Sequence, residues 1–186
     1  MKRFASSLAL CAMLLCAVAC GNKKTHTTLP PIEEESIDMS KYMPSLQIGT
    51  SAPDFEAPDV MGNTVKLSDY LGKYVVLDFW ASWCKDCRAE MPAVKSLYTV
   101  YANKGVEFLG VSFDTDLRTL VDYGMENEIP WMQVCNQIPW KENPISVAYD
   151  LHWIPTMFLI DREGNVAGIA FTAEEMETLL KERSDI

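Results

Sequence analysis

The densest apolar run of the chain predicts the central strand of a sheet. Residues 75–80 read Val-Val-Leu-Asp-Phe-Trp, so five of the six positions are apolar. Short runs without polar alternation are typical of strands that are buried on both faces. The apolar positions that follow have the spacing of one helix face: Met91, Val94, Leu97 and Tyr98. This spacing predicts a helix over 84–101.

Strands and helices continue to alternate towards the end of the chain. Strands are predicted at 106–112, 131–135, 156–160 and 166–171, and two shorter ones flank a turn within 61–67. Helices are predicted at 117–126, with Asp116 as the cap, at 146–151, and after the capping box that begins at Thr172. Strands separated by helices, followed by a hairpin and a last helix, indicate an α/β protein with a mixed sheet covered on both faces.

The first 19 residues have the pattern of an export signal. A short basic start precedes an apolar stretch over 8–19, which is too short to cross a membrane as an ordinary helix. Residues 17–20, Ala-Val-Ala-Cys, resemble a bacterial lipobox, because a small residue comes directly before Cys20. We therefore expect residues 1–19 to be removed and Cys20 to carry a lipid. An ordinary secretory signal cut near Ala19 is the alternative.

The lipid on Cys20 would anchor the protein to a membrane of the bacterial periplasm, and the sequence leaves open which leaflet holds it. Residues 20–47 are predicted to be a flexible tether, since they are polar, contain Pro30 and Pro31, and lack a periodic apolar face. The remaining residues, 48–186, are expected to form one globular domain.

The composition favours a soluble domain and argues against one class of partner. The 186-residue chain is 48% hydrophobic, which is enough for a core. Its formal net charge is −10. Nucleic-acid binding is not expected, because it requires a basic patch.

Two cysteines lie where the predicted central strand meets the helix. Cys84 stands at the helix N-terminus, where unpaired N–H groups and the helix dipole favour a thiolate. Cys87 lies one turn further on, within reach to close a disulfide. A thiolate with such a neighbour can attack a partner's disulfide, form a mixed disulfide and be released by the second thiol.

Half of a zinc site is the alternative interpretation of this cysteine pair. A structural zinc ion usually takes four ligands, often including a second pair of Cys or His residues. Within the predicted domain only Cys135 and His152 remain, and neither has a partner at ligand spacing. No metal is therefore expected. Cys135 follows an apolar residue and is predicted to be a small buried side chain rather than a third redox thiol.

Three segments in the same order resemble the thioredoxin family. Residues 78–87, Asp-Phe-Trp-Ala-Ser-Trp-Cys-Lys-Asp-Cys, resemble its active-site signature, and Pro92 matches the proline of its first active-site helix. Residues 153–156, Trp-Ile-Pro-Thr, are similar to its cis-proline segment. Residues 48–55 resemble the opening segment of TlpA/ResA-like redoxins and peroxiredoxins, so the similarity runs from there to the end of the chain.

The resemblance to TlpA/ResA-like redoxins implies a fold and a set of roles. The implied fold is thioredoxin-like, with a central mixed sheet flanked by helices and a redoxin-type N-terminal extension. Cys84 is then the attacking thiol and Cys87 the resolving thiol. Asp78 matches a buried acid with a raised pKa that could take a proton from Cys87. Glu90 matches an acidic residue that tunes the cysteine pair.

The same resemblance implies how a substrate is held. If the bond before Pro155 is cis, the backbone of Ile154 would lie beside the disulfide, ready to pair with an extended peptide. Trp83 would line this site. No cofactor is implied.

The function expected from these features is that of a membrane-anchored, extracytoplasmic protein-disulfide reductase. Its partners would be a membrane thiol–disulfide electron donor and oxidised substrate proteins, apocytochrome c among them. A thiol peroxidase is a second enzyme hypothesis, although Ala81 stands where the peroxidatic pattern has Thr. A hypothesis of another class is a lipid-tethered binding module that uses the Pro155 groove, with a merely structural disulfide.

Overall fold

The structure is a computed structural model that describes residues 38–184 and 186. Its strands are β1 (Glu56–Pro58), β2 (Thr64–Lys66), β3 (Tyr74–Trp80), β4 (Val106–Ser112), β5 (Met132–Val134), β6 (Thr156–Ile160) and β7 (Val166–Ala170). Its α-helices are α1 (Lys85–Tyr101), α2 (Leu117–Glu126), α3 (Pro144–Ala148) and α4 (Ala173–Lys181).

Strand β3 lies at the centre of a five-stranded sheet with the order β5-β4-β3-β6-β7. It pairs in parallel with β4 on one side and antiparallel with β6 on the other, while β1 and β2 form a separate hairpin. All residues of β3 after Tyr74 are buried, which agrees with the unbroken apolar run. The predicted mixed sheet flanked by helices is therefore confirmed.

The helix starts follow their capping residues. The Asp116 carboxylate accepts a hydrogen bond from the N–H of Arg118 at 2.9 Å and caps α2. Thr172 and Glu175 form a reciprocal capping box at the start of α4. Both features were predicted from the sequence, because side-chain oxygens at these positions satisfy N–H groups that the helix leaves unpaired.

The structure differs from the sequence prediction at α3. The helix occupies Pro144–Ala148 rather than 146–151. It begins earlier because the Asn143 side chain accepts a hydrogen bond from the N–H of Ile145 at 3.0 Å, and Pro144 is well suited to a first helical position. It cannot continue to residue 151, because Asp150 has a left-handed backbone with φ +50°.

The residues directly before the predicted domain also differ from expectation. Met39–Tyr42 form a 3-10 helix, and Pro44 is buried, although 20–47 was predicted to be a flexible tether. Residues from 38 onwards belong to the same compact unit as the rest of the domain. The predicted signal 1–19, Cys20 and the first part of the tether lie outside the described residues. Within 38–184, no helix is long and apolar enough to cross a membrane.

Candidate active site

Cys84 and Cys87 form a disulfide at the junction of β3 and α1. Their Cα atoms are 5.3 Å apart, which lies within the usual range for such a bridge. Cys84 is 7% exposed and Cys87 only 2% exposed. Cys84 is therefore the more accessible of the two cysteines.

Cys84 is the N-cap residue of helix α1. Cys84 has an extended backbone, and its Sγ accepts a hydrogen bond from the N–H of Cys87 at 3.1 Å. The sulfur thus takes the place of the oxygen that usually caps a helix. In the reduced protein the same N–H and the positive end of the helix dipole stabilise negative charge on this atom.

A buried carboxylate holds the loop that leads to Cys84. Asp114 is 1% exposed, and its Oδ2 accepts hydrogen bonds from the N–H of Ser82 at 3.0 Å and the hydroxyl of Ser112 at 2.6 Å. Its Oδ1 accepts a further one from the Ser82 hydroxyl at 2.6 Å. Sequence reasoning missed this network, because the three residues look like ordinary polar positions at strand ends.

Cys135 joins the edge of the Asp114 network. It is buried, as predicted, and its thiol donates to the backbone carbonyl of Asp114 at 3.1 Å. Burial raises the pKa of the Cys135 thiol. A buried, protonated thiol is a poor nucleophile, which agrees with a packing role.

Asp78 lies inside the sheet, near the end of β3. It is 2% exposed and stands between Gly110 of β4 and Met157 of β6. Burial, together with the charge of Glu90, raises the pKa of Asp78 to about 7. The sequence prediction of a buried acid with a raised pKa agrees with this environment, and the catalytic role remains a prediction.

Glu90 connects α1 to the start of α4. It is half-buried one turn after Cys87, and its Oε1 accepts a hydrogen bond from the N–H of Ala173 at 2.6 Å. Ala173 is the first residue of α4, so the positive end of that helix stabilises the carboxylate. This partner lies 83 positions away in the chain, and nothing in the sequence around Glu90 indicated it.

The loop before β6 brings a second backbone segment to the disulfide. The Ile154–Pro155 peptide bond is cis, and the carbonyl oxygen of Ile154 lies 3.6 Å from the Sγ of Cys84. Ile154 and Pro155 are buried, whereas Trp83 is 56% exposed beside the cysteine pair. The structure thus brings Cys84, Cys87 and Ile154 together and leaves Trp83 on the rim.

The arrangement can carry out dithiol–disulfide exchange with its own residues. A closed disulfide and its reduced dithiol form differ by two electrons and two protons. The cysteine pair can therefore carry both electrons of the reaction itself. Among residues 38–184, no three or more His, Cys, Asp or Glu side chains are placed to hold a metal ion.

Comparison with known proteins gives the same assignment. The model of the AhpC/TSA family matches residues 48–169. A protein of Geobacillus kaustophilus named thiol-disulfide oxidoreductase ResA is 34% identical over 140 residues, which are 74% of this chain and 78% of that protein. A protein of the same name from Bacillus anthracis is 36% identical over 143 residues, covering 73% and 78% respectively.

Solved structures of similar proteins share the fold. A putative thiol:disulfide interchange protein DsbE from Chlorobium tepidum superposes with a TM-score of 0.67 at 31% identity, covering 74% of this chain and 98% of that one. The thioredoxin domain of a thiol-disulfide oxidoreductase from Bacteroides vulgatus gives a TM-score of 0.67 at 29% identity, with the same two coverages. The expected thioredoxin-like fold is thereby confirmed. The chain belongs to the AhpC/TSA family, and it is a thiol–disulfide oxidoreductase.

Proposed function

We propose that the protein reduces disulfides of other proteins in an extracytoplasmic compartment. The observation that carries the proposal is the pairing of a more accessible sulfur at a helix N-terminus with a more buried sulfur one turn away. The first suits nucleophilic attack on an incoming disulfide, and the second suits release of the mixed disulfide.

The proposed reaction transfers two electrons in two steps. The Cys84 thiolate attacks one sulfur of the substrate disulfide, which forms a mixed disulfide and expels the other substrate sulfur as a thiolate. Cys87 then loses its proton and attacks the Cys84 sulfur. This closes the Cys84–Cys87 bond and expels the second substrate thiolate. The substrate is reduced by two electrons and takes up two protons, and the enzyme is oxidised by the same amount.

Asp78 is the proposed proton acceptor for Cys87. Its carboxyl has a pKa of about 7, so it exchanges a proton readily near neutral pH. Glu90 is proposed to tune this acid, because its charge helps to raise the pKa of Asp78. The N–H of Ala173 stabilises the carboxylate of Glu90 at the required place.

The substrate is proposed to be a polypeptide held beside Ile154. The carbonyl oxygen of Ile154, 3.6 Å from the Cys84 sulfur, marks the backbone that an extended chain with a disulfide would pass. Trp83 is exposed next to this position and offers an aromatic surface to the same chain.

The cellular setting is also a proposal. The signal pattern and Cys20 support lipid anchoring to a membrane that faces the periplasm. A tethered reductase needs electrons from a membrane thiol–disulfide donor, and its substrates would be oxidised proteins such as apocytochrome c. Radioactive palmitate should label the wild-type protein in cells and leave Cys20→Ser unlabelled, and labelling of the variant would contradict the anchor.

The reduction potential of the Cys84–Cys87 couple tests the proposed direction. The oxidised protein is equilibrated with glutathione and dithiothreitol buffers, and the thiols are counted at each ratio. A value near or below that of thioredoxin, about −270 mV, agrees with a reductase. A value near that of strong periplasmic oxidants, about −120 mV, would contradict it.

A turnover assay tests the activity itself. The wild-type protein should accelerate the reduction of insulin by dithiothreitol, and Cys84→Ser should not, since it lacks the attacking sulfur. Hydrogen peroxide consumption in the same buffer distinguishes the peroxidase alternative. Rapid consumption of peroxide without insulin reduction would favour that alternative.

A further inference from the structure

The segment before the family domain packs against a loop that borders the active site. The AhpC/TSA match begins at residue 48, yet residues 38–46 have defined structure in front of it. Asp38 caps a 3-10 helix over Met39–Tyr42 by accepting a hydrogen bond from the N–H of Ser40 at 3.2 Å. Pro44 is buried behind it, and Leu46 packs against the core. We call residues 38–46 the N-terminal clip.

The clip contacts the segment 150–155, which we call the cis-proline loop. The ring of Tyr42 lies against the ring of Trp153, with 4.9 Å between the centroids and a tilt of 48°. Trp153 directly precedes Ile154, whose carbonyl oxygen lies 3.6 Å from the Cys84 sulfur. One aromatic contact therefore separates the clip from the backbone beside the reactive sulfur.

A hydrogen bond fixes the other end of the cis-proline loop. The N–H of Ser45 donates to Oδ2 of Asp150 at 3.0 Å, and Oδ1 of Asp150 lies 3.2 Å from Nε2 of His152. Hydrogen bonding to Ser45 holds the pKa of the Asp150 carboxyl below its usual range, so this residue accepts as a carboxylate. Asp150 also has φ +50°, a left-handed conformation that side chains other than glycine rarely adopt.

The clip thus holds the loop at both ends. Tyr42 packs on it one residue before Ile154, and Ser45 ties down its strained first residue, Asp150. Within the loop, the hydroxyl of Thr156 donates to the carbonyl of Trp153 at 2.7 Å and connects the same point to β6. These contacts constrain the direction in which the backbone of Ile154 faces Cys84.

We propose that the N-terminal clip positions the cis-proline loop for polypeptide substrates and is thereby a determinant of substrate specificity. The inference rests on the proposed reduction of protein disulfides. A polypeptide must align with the backbone of Ile154 while its disulfide approaches Cys84. A small disulfide needs only access to the sulfur. Loosening the clip should therefore weaken the reaction with proteins and spare the reaction with small disulfides.

The test compares one protein and one small disulfide on the same full-length variants. Tyr42→Ala should raise the KM for insulin and lower kcat/KM about 3- to 10-fold, which is the range that loss of one aromatic contact corresponds to. Its kcat for insulin and its rate with glutathione disulfide should equal the wild-type values. Tyr42→Phe keeps the ring and should restore the KM. Lys41→Ala, an exposed neighbour in the same 3-10 helix, is the matched control.

A double-mutant cycle with Trp153→Ala keeps the proposal falsifiable if a single variant is unstable. Because both rings act through one contact, the effects of Tyr42→Ala and Trp153→Ala on kcat/KM for insulin should not multiply. Fully multiplicative effects would overturn the positioning role. Equal losses with insulin and glutathione disulfide would overturn it too, since they indicate a general loss of structure. Wild-type protein that does not reduce insulin would instead contradict the proposed function.

Discussion

The protonation of Asp78 is set by its place in the fold. A carboxyl in water has a pKa near 3.8, and burial next to the Glu90 charge raises that of Asp78 to about 7. The folded protein therefore binds one proton more than the unfolded chain between about pH 4 and about pH 7. The contribution of Asp78 to the unfolding free energy is fully present below about pH 4 and is lost as the pH rises to about 7. It is lost because ionised Asp78 is more stable in the unfolded chain than in the buried site.

Replacing Asp78 by Asn should remove this pH dependence. The wild-type protein is expected to lose on the order of 4 kcal/mol of unfolding free energy between about pH 4 and about pH 8 through this residue. Asp78→Asn should lack that loss and should be the more stable protein at pH 8. Urea denaturation of the oxidised proteins at several pH values measures the difference. Asp122→Asn, at an exposed position of α2, serves as a control and should retain the wild-type slope.

The three cysteines of the domain differ in their surroundings, and their reactivity should differ accordingly. In the reduced protein at pH 7, Cys84 should react with iodoacetamide on the order of tenfold faster than Cys87, because its sulfur is more exposed and accepts a helix N–H. Cys135 should react slowest, since its buried thiol is hydrogen-bonded to Asp114. Peptide mass spectrometry after timed labelling gives all three rates. Faster labelling of Cys87 than of Cys84 would reverse the assigned roles.

At the scale of elements, the packing of β4 against β5 depends on a glycine, Gly110, which leaves space for a side chain of β5. Gly110 of β4 faces Gln133 of β5, and a Cβ atom at position 110 would collide with the Gln133 amide. That amide accepts a hydrogen bond from the indole N–H of buried Trp80 at 2.8 Å. Because Gly110 has no side chain, the Gln133 amide of β5 has room to reach the Trp80 indole of β3.

A pair of glycine substitutions tests this packing. Gly110→Ala should destabilise the protein by about 1–3 kcal/mol, because the collision displaces Gln133 from Trp80. Gly124→Ala should instead stabilise it by about 0.5–1 kcal/mol, since nothing lies near that position and alanine favours the α2 helix. Guanidinium denaturation compares the two. A neutral Gly110→Ala would show that β5 shifts freely, against the role given to Gln133.

Local signals account for the part of the fold that the sequence predicted. The caps Asp116 and Thr172 lie next to the helices that they start, and the apolar run of β3 is continuous. The site depends on contacts of another kind. Glu90 meets Ala173 across 83 positions, and Ser82 meets Asp114 across 32. Such contacts depend on how the strands are ordered in the sheet, which no local pattern records.

The clip at the start of the domain carries one local signal that the prediction of a tether overlooks. Met39, Tyr42, Met43 and Leu46 have the i, i+3, i+4, i+7 spacing of a helix face, although Pro44 interrupts it. Their structure comes from surfaces that the rest of the chain presents, such as the ring of Trp153 and the carboxylate of Asp150. The apolar spacing thus indicates a helical turn, whereas the residues that it packs against follow only from the fold.

At the scale of the whole molecule, the redox couple and the fold share one thermodynamic cycle. The unfolding free energy of the oxidised protein minus that of the reduced protein equals 2F times the amount by which the couple's potential is lower in the folded than in the unfolded chain. A lowering of 30 mV corresponds to about 1.4 kcal/mol. Reduction leaves Cys87 as a thiol in the interior that also holds ionisable Asp78. The proposed reductase requires the folded protein to favour the disulfide, against the helix N–H that stabilises a Cys84 thiolate in the reduced form.

The oxidised protein should therefore be more stable than the reduced protein. If the folded couple lies about 60 mV below that of a peptide spanning residues 82–89, the difference should be about 2.8 kcal/mol. Denaturation with and without dithiothreitol measures the stabilities, and glutathione titration of protein and peptide measures the potentials independently. The cycle requires the two differences to agree, and a more stable oxidised form would support a fold that favours the disulfide. A reduced form that is more stable than the oxidised form would make the protein an oxidant and contradict the proposed reductase.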